Sequence, residues 1–269
     1  MTSAPMPTGL HQAPPAAPRG AAAQPDSVAG PPESSSRAEA GAAPAGAEGK
    51  PGAREWVRAV AWAVLLFAVL RGLVVQVYGI QSGSMQPTLA VGDYVVVNNT
   101  IFGAGLPFTS RKLPALRQPR IGDVVVYRPA GYVPARDHIK RIIGEPGDTV
   151  QMVGGVVYRN GTKLDEPYAR RTDAPDVPLP AEGPYNFQWQ RAALAGAAGP
   201  VGYAPTRDGW GSLVVPGGHY LMLGDDRNGS VDSRHTGFVP RGEIRGKVLA
   251  VHWSSGPGGV RWNRIGTRP

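Results

Sequence analysis

A mostly β domain with an inserted subdomain, preceded by one N-terminal transmembrane helix and a disordered tail, is the fold class predicted by three features of this 269-residue sequence. The first is a Pro-, Ala-, Gly- and Ser-rich stretch with few bulky apolar residues over residues 1–53. The second is one apolar run in which every residue from Ala59 to Leu70 is apolar. The third is a succession of short Val-rich runs after Ile80, bounded by Gly, Asp, Asn and Pro, with helical periodicity nearly absent.

Residues 1–53 cannot bury enough apolar surface to offset their ordering entropy, so they read as a disordered cytoplasmic tail. Residues 54–77 read as a membrane anchor, because a helix of about 20 residues crosses a hydrocarbon core. Arg71 opposes this, since an arginine at the helix centre costs about 2.5–3.5 kcal/mol. It lies toward the far end of the run, where its side chain can snorkel to the headgroups. Lys50, Arg54 and Arg58 precede the run, which puts the N-terminus in the cytoplasm and exports the rest. The expectation is a single-pass protein of the cell membrane. A cleaved leader fits less well, because no small-x-small site follows Leu70 before the charged and polar residues.

Residues 78–269 form the extracytoplasmic β domain. "GDYVVVNN" (92–99) and "GDVVVYRP" (122–129) repeat a Gly-Asp turn that feeds a Val-rich strand. Further strands are expected at 138–143, 149–153, 156–159, 219–223 and 247–253. Asn160-Gly161 is a hairpin signal. Residues 170–216, rich in Ala, Gly and Pro, read as an insertion.

Composition narrows the function. The chain has no Cys, which excludes disulfides, thiol nucleophiles and thiolate metal sites. Its net charge of +8 admits an anionic membrane surface or nucleic acid. The Lys and Arg residues are scattered and no nucleic-acid motif accompanies them, so no nucleic-acid partner is expected. No cofactor or metal is expected either. In 224–239, "GDDRNGSVDSRHTGFV", the spacing of a calcium loop fails and Arg227 opposes a cation.

The candidate chemistry lies in three segments. In "VYGIQSGSMQPTL" (77–89), Ser84 follows a short strand and opens a turn, which exposes a hydroxyl and aims N–H groups at an oxyanion. Many serines of this kind only cap or turn. The elbow G-x-S-x-G is absent, because Gln86 takes its last position, and the histidines follow no recognisable triad order. In "ARDHIKRIIGEPGD", strand alternation sets Lys140 on one face with His138 and Ile142, and Ile139 and Arg141 on the other. A lysine desolvated there loses proton affinity, although a strand lysine also commonly snorkels outward. The polar loop reads either as a solvated turn or as a scaffold in which Asp232 pairs with Arg234 and Ser230 reaches the lysine amine.

These motifs, in this order behind an apolar run, resemble bacterial type I signal peptidases. The likeness rests on "SGSMQPTL", "GDYVVV", "IKRIIGEPGDTV", "GDDRNGSVDSRHTGFVP" and "RWNRIG". It implies a signal-peptidase-like antiparallel β-sheet catalytic domain with a serine/lysine dyad, Ser84 as nucleophile and neutral Lys140 as general base. The Ser84 N–H and the Ser82 hydroxyl would form the oxyanion hole; Ser230 would orient Lys140, and Asp232 and Arg234 would brace the site. Substrate would bind as an added strand along Tyr78, Ile80, Gln81 and Met85 on one side and Asp137 and Ile139 on the other. The pockets there would accept alanine at the first and third positions before the cut. The implied partners are preprotein signal peptides and membrane lipid, with a monomeric enzyme. Two departures stand out: Gln81 where the family usually has Pro, and Asp226 where it usually has Asn. Two other readings compete. A membrane-anchored β module that binds peptides would need none of Ser84, Lys140 and Ser230. A soluble self-cleaving Ser/Lys protease would lack the anchor.

Overall fold

The computed structural model describes residues 52–103, 105, 113–130, 136–196 and 202–269, with side chains for all of them except 68–73. The expected tail, 1–53, lies outside these residues except for its last two positions. Helix α1 (Ala53–Val74) is built on Ala, Leu and Val and carries Trp62, Leu66 and Phe67 exposed. It ends earlier than expected. The Val74 carbonyl accepts the Asn99 N–H at 3.0 Å, and β-branched Val75 and Val77 pass directly into strand β1 (Val75–Gly79). Among the described residues no helix is long and apolar enough to cross a membrane.

The larger sheet is antiparallel throughout. Its strands are β1, β2 (Asp93–Asn98), β3 (Val124–Tyr127), β4 (His138–Gly144), β9 (His219–Leu223), β10 (Val239–Pro240) and β11 (Ile244–Gly256), in the order β1-β2-β11-β3-β4-β9-β10. A short β12 (Gly259–Val260) folds back on β11. The smaller sheet, also antiparallel, runs β7-β6-β5-β8 from β5 (Thr149–Val153), β6 (Val156–Arg159), β7 (Thr162–Lys163) and β8 (Trp210–Val214). Two short helices complete the set, α2 (Gln188–Ala193) and α3 (Ser233–Thr236).

The Gly-Asp device has a physical basis. At Asp93, Asp123 and Asp148 the backbone N–H bonds the carbonyl three residues back, and the carboxylate accepts the N–H of that same residue at 2.7–3.0 Å. The glycine before each aspartate has φ between 82° and 89°, the left-handed region that side chains resist. At Asn160-Gly161 both residues have positive φ, as a type I′ hairpin requires, and join β6 to β7.

Two apolar layers flank β3, whose four residues are all buried. Ile80, Met85, Leu89, Val95, Val124, Val126 and Val251 fill one side. Val125, Tyr127, Ile142, Met222 and Ile244 fill the other. Fully burying a side chain such as Leu89 stabilises by about 2 kcal/mol. A third cluster, including Ile143, Val150, Trp210, Leu213 and Leu221, joins the smaller sheet to the larger. The expected insertion, 170–216, contributes to this cluster. Trp210 and Leu213 are core, and β8 is an edge strand of the smaller sheet.

Candidate active site

Ser84 sits on a turn anchored from below. Ile80, Met85 and Leu89 are buried in the core, while the Gln86 N–H bonds Gly83 and the Leu89 N–H bonds Met85, at 2.9 and 2.8 Å. The periodicity of three and four residues leaves Ser84 facing outward. Its carbonyl accepts the Asp226 N–H at 3.1 Å, so the polar loop of 224–239 clasps the turn.

Lys140 comes from the middle of β4 on the face the alternation assigned. It pairs in register with Val125, two residues from Ile142 of the same apolar layer. Only 4% of it is exposed. Its Nζ lies 2.8 Å from Ser84 Oγ and 3.1 Å from the Ile139 carbonyl. Ser82 Oγ lies 3.3 Å from Ser84 Oγ on the open side. Burial pushes the Lys140 pKa down; Asp232 draws it back up, and Arg234 pushes it down again. The neighbouring ion pair is neutral as a unit, so the amine next to the hydroxyl is governed mainly by lack of water. An alcohol beside an amine of this kind can pass its proton to the nitrogen.

Asp232 and Arg234 do pair, bidentately at 2.8 Å in both arms, with both side chains fully buried. The Asp232 carboxylate also accepts the Gly224 N–H at 3.0 Å and caps α3. Burial alone would raise its pKa, but the charge and hydrogen bonds of Arg234 and the Gly224 N–H outweigh that and hold it at about 2.

Ser230 departs from expectation. Its Oγ is buried, yet it has no hydrogen-bond partner among the described residues and makes no bond to Lys140. It packs instead over Gly224, where an added Cβ would overlap both the Ser230 side chain and the Ser84 carbonyl. The missing methyl is what lets these two segments meet. Asp226, the second departure from the family pattern, is partly exposed. It accepts the Gly229 N–H at 3.1 Å and closes its own turn, while Arg227 pairs with Glu166 at 2.6 Å.

The open side of the site is a cleft of about 770 Å³. All six expected contact residues line it: Tyr78, Ile80, Gln81 and Met85 from one wall, Asp137 and Ile139 from the other. The walls belong to strands far apart in sheet order, β1 at its edge and β4 near the opposite end. β1 pairs only with β2 among the described residues, and β9 joins β4 only from Arg141 onward. The gap therefore offers unpaired backbone on both sides, as an added strand needs. Arg136, which also lines the cleft, carries no sequence signal that singles it out. Asp225 was missed as well. It takes Arg141 in a bidentate pair at 2.8 and 2.7 Å and the Thr88 hydroxyl at 2.6 Å, tying β4 to the turn of Ser84. Its place beside Asp226 in a loop of polar residues hid it.

Comparison with known proteins identifies the class of molecule. A family model described as signal peptidase, peptidase S26, matches residues 53–253. The chain belongs to this family and is a serine peptidase, a hydrolase. Its relatives are bacterial type I signal peptidases. Signal peptidase I of Pseudomonas fluorescens is 34% identical over 72% of this chain and 70% of its own length. Signal peptidase IB of Staphylococcus aureus strain COL is 32% identical over 74% of this chain and 88% of its own. A solved signal peptidase I from Enterococcus faecalis V583 is 27% identical, with a TM-score of 0.32, covering 50% of this chain and 98% of its own.

Proposed function

We propose that the protein is an endopeptidase that cleaves signal peptides from exported preproteins after small residues in an Ala-x-Ala pattern, with Ser84 as nucleophile and neutral Lys140 as general base. The observation that carries this reading is the 2.8 Å approach of a nearly water-free amine to a hydroxyl at the floor of a two-walled cleft.

The preprotein lies as an extra strand between β1 and the start of β4. Ser84 Oγ attacks the scissile carbonyl carbon and its proton passes to Lys140 Nζ. The oxyanion is held by the Ser84 N–H and the Ser82 hydroxyl. Collapse breaks the C–N bond, and Lys140 returns the proton to the departing amine. A water then gives a proton to Lys140 and attacks the ester, and collapse restores the Ser84 hydroxyl. At an ordinary pKa only about one lysine in 2,500 is neutral at pH 7, so burial of the amine is a condition of the chemistry.

α1 seats this domain on the membrane, with its N-terminus cytoplasmic. The exposed Trp62, Leu66 and Phe67 support that role. Residues 68–73, the rest of the apolar run, have side chains outside those described.

The test is cleavage of a preprotein bearing an Ala-x-Ala site by the parent chain and by Ser84→Ala and Lys140→Ala variants. Both variants should be inert while keeping the parent's circular dichroism spectrum. Cutting by Lys140→Ala at the parent's rate would end this mechanism. Release of the protein from vesicles by alkaline carbonate would end the membrane assignment.

A further inference from the structure

A second, smaller cavity of about 260 Å³ opens from the same pair of residues. It shares Ser82, Ser84, His138 and Lys140 with the large cleft and then diverges. Its own walls are Tyr127, Pro129, Tyr185, Gly229, Val231 and Thr236. None of the large cleft's β1 residues reach it. Tyr185, just ahead of α2, belongs to the 170–216 segment, which matches none of the sequence motifs of the site.

We propose that this cavity receives the residue immediately after the cut, and that Tyr185 is the residue of the inserted segment that sets which side chains are accepted there. The proposal rests on the Ser84–Lys140 reading and deepens it. A scissile bond held at Ser84 Oγ has two chains leaving it. If the acyl side lies between β1 and β4, the amine side must depart past Lys140, which returns its proton. The second cavity is where that path leads.

The lining sets the chemistry. Tyr185, Val231 and Pro129 present aromatic and aliphatic surface, and among the described residues the walls hold no carboxylate. Tyr185 is 39% exposed and Val231 50%, so this surface is open to an incoming side chain. A medium-sized apolar side chain gains contact with it. A lysine or arginine loses water without finding a counter-charge. The inserted segment thus gives this chain a preference about the new N-terminus of the mature protein, separate from the small pockets that read the signal peptide.

The experiment uses the full-length chain in detergent micelles and preproteins identical except for Ala, Leu, Phe or Lys just after an Ala-x-Ala site. For the parent, kcat/KM should favour Leu and Phe over Lys. In Tyr185→Ala the Leu:Ala and Phe:Ala ratios should fall about tenfold, the scale of lost apolar contact in a specificity pocket. In Tyr185→Glu the Lys:Ala ratio should rise about threefold, as a partly exposed ion pair allows. A loss of folding cannot produce that gain. Addition of leucinamide to a short ester substrate gives a second readout, because the fraction of acyl-enzyme captured by the amine should drop in Tyr185→Ala. Unmoved ratios and unmoved capture in both variants, with Ser84→Ala inert, would overturn the subsite alone. Cleavage by Ser84→Ala would remove the dyad reading and the subsite with it.

Discussion

Lys140 and Arg141 are neighbours on one strand, both basic and both 4% exposed, yet their surroundings differ completely. Arg141 faces Asp225 through two short hydrogen bonds, donates to the Gly122 carbonyl at 2.9 Å, and stacks 3.8 Å from the centre of the Tyr168 ring. Lys140, on the opposite face, meets a hydroxyl and a carbonyl and no carboxylate within bonding distance. A guanidinium cannot shed its proton in a protein, so its burial requires an anion. An amine can, and without an anion it does so more readily. Burial therefore does not fix the state of a cation. The partner provided for it does, and the fold provides one on the face of Arg141 and withholds one on the face turned to Ser84.

The comparison breaks most sharply if the two chemistries are exchanged. Lys140→Arg and Lys140→Ala should each lower kcat/KM by about 10⁴-fold, the scale of losing one member of a catalytic pair. In the parent, kcat/KM should climb with pH through a lysine pKa depressed below 10.5. Stability carries the same signature. Below the depressed pKa both folded and unfolded chains hold the proton, and the group's contribution is at its least favourable. As pH rises from there toward 10.5 the unfolded chain binds more protons, so stability increases. Denaturation of the parent and of Lys140→Met across that range should show a slope in the first that the second lacks.

Removing the anion from the structural face comes next. Asp225→Asn leaves Arg141 buried and uncompensated, at a cost of about 3–4 kcal/mol in urea unfolding. Gly224→Ala should act on position rather than charge. The added methyl must push Ser230 and the Ser84 turn apart, and a shift of about 1 Å at a nucleophile costs roughly 10²-fold in kcat. Asp232, held at about 2, contributes stability that is fully present above its ordinary pKa of 3.8 and lost as pH falls through the folded value. That contribution is about 2 kcal/mol and should vanish from the acid limb in Asp232→Asn. The smallest effect belongs to an exposed pair. Arg128, 39% exposed, holds Asp137 at 2.7 Å, and Arg128→Gln should change stability by about 0.5 kcal/mol or less, and less again in high salt.

Much of this contrast is legible in the sequence. Alternation alone placed Lys140 with Ile142 and opposite Arg141, because a strand's period admits no other arrangement. The Gly-Asp turns marked the starts of β2 and β3 through backbone chemistry that is local in sequence. What sequence could not supply was contact across long separations. The pairing of Arg141 with Asp225 spans 84 positions and nothing in either segment announces it. Ser230 looked free to reach Lys140, but the close packing at Gly224 turned it elsewhere. β8 is hidden in a Gly-rich segment, with Gly211 at φ 96° as its second residue, and shows itself only through Trp210 and Leu213 entering the core of the smaller sheet. The helix ends three residues before the expected position, since Val75 and Val77 suit an apolar helix and a sheet edge alike until Asn98 and Val96 are seen to pair with them.

Asp93, at the start of β2, is fully buried and is neutralised by Arg264, at 2.6 Å, and Arg261, at 3.3 Å. Arg264 also donates to the Thr88 carbonyl at 3.0 Å, inside the turn that carries Ser84. These two arginines follow the aspartate by about 170 positions. Both follow β12 in the chain, so the turn is latched by a segment distant from it in sequence. Without them the aspartate keeps the Ser254 hydroxyl, at 2.7 Å, and the turn loses this tie. The segment after β12 thus sets the position of the Ser84 turn while lining neither of the two cavities beside it.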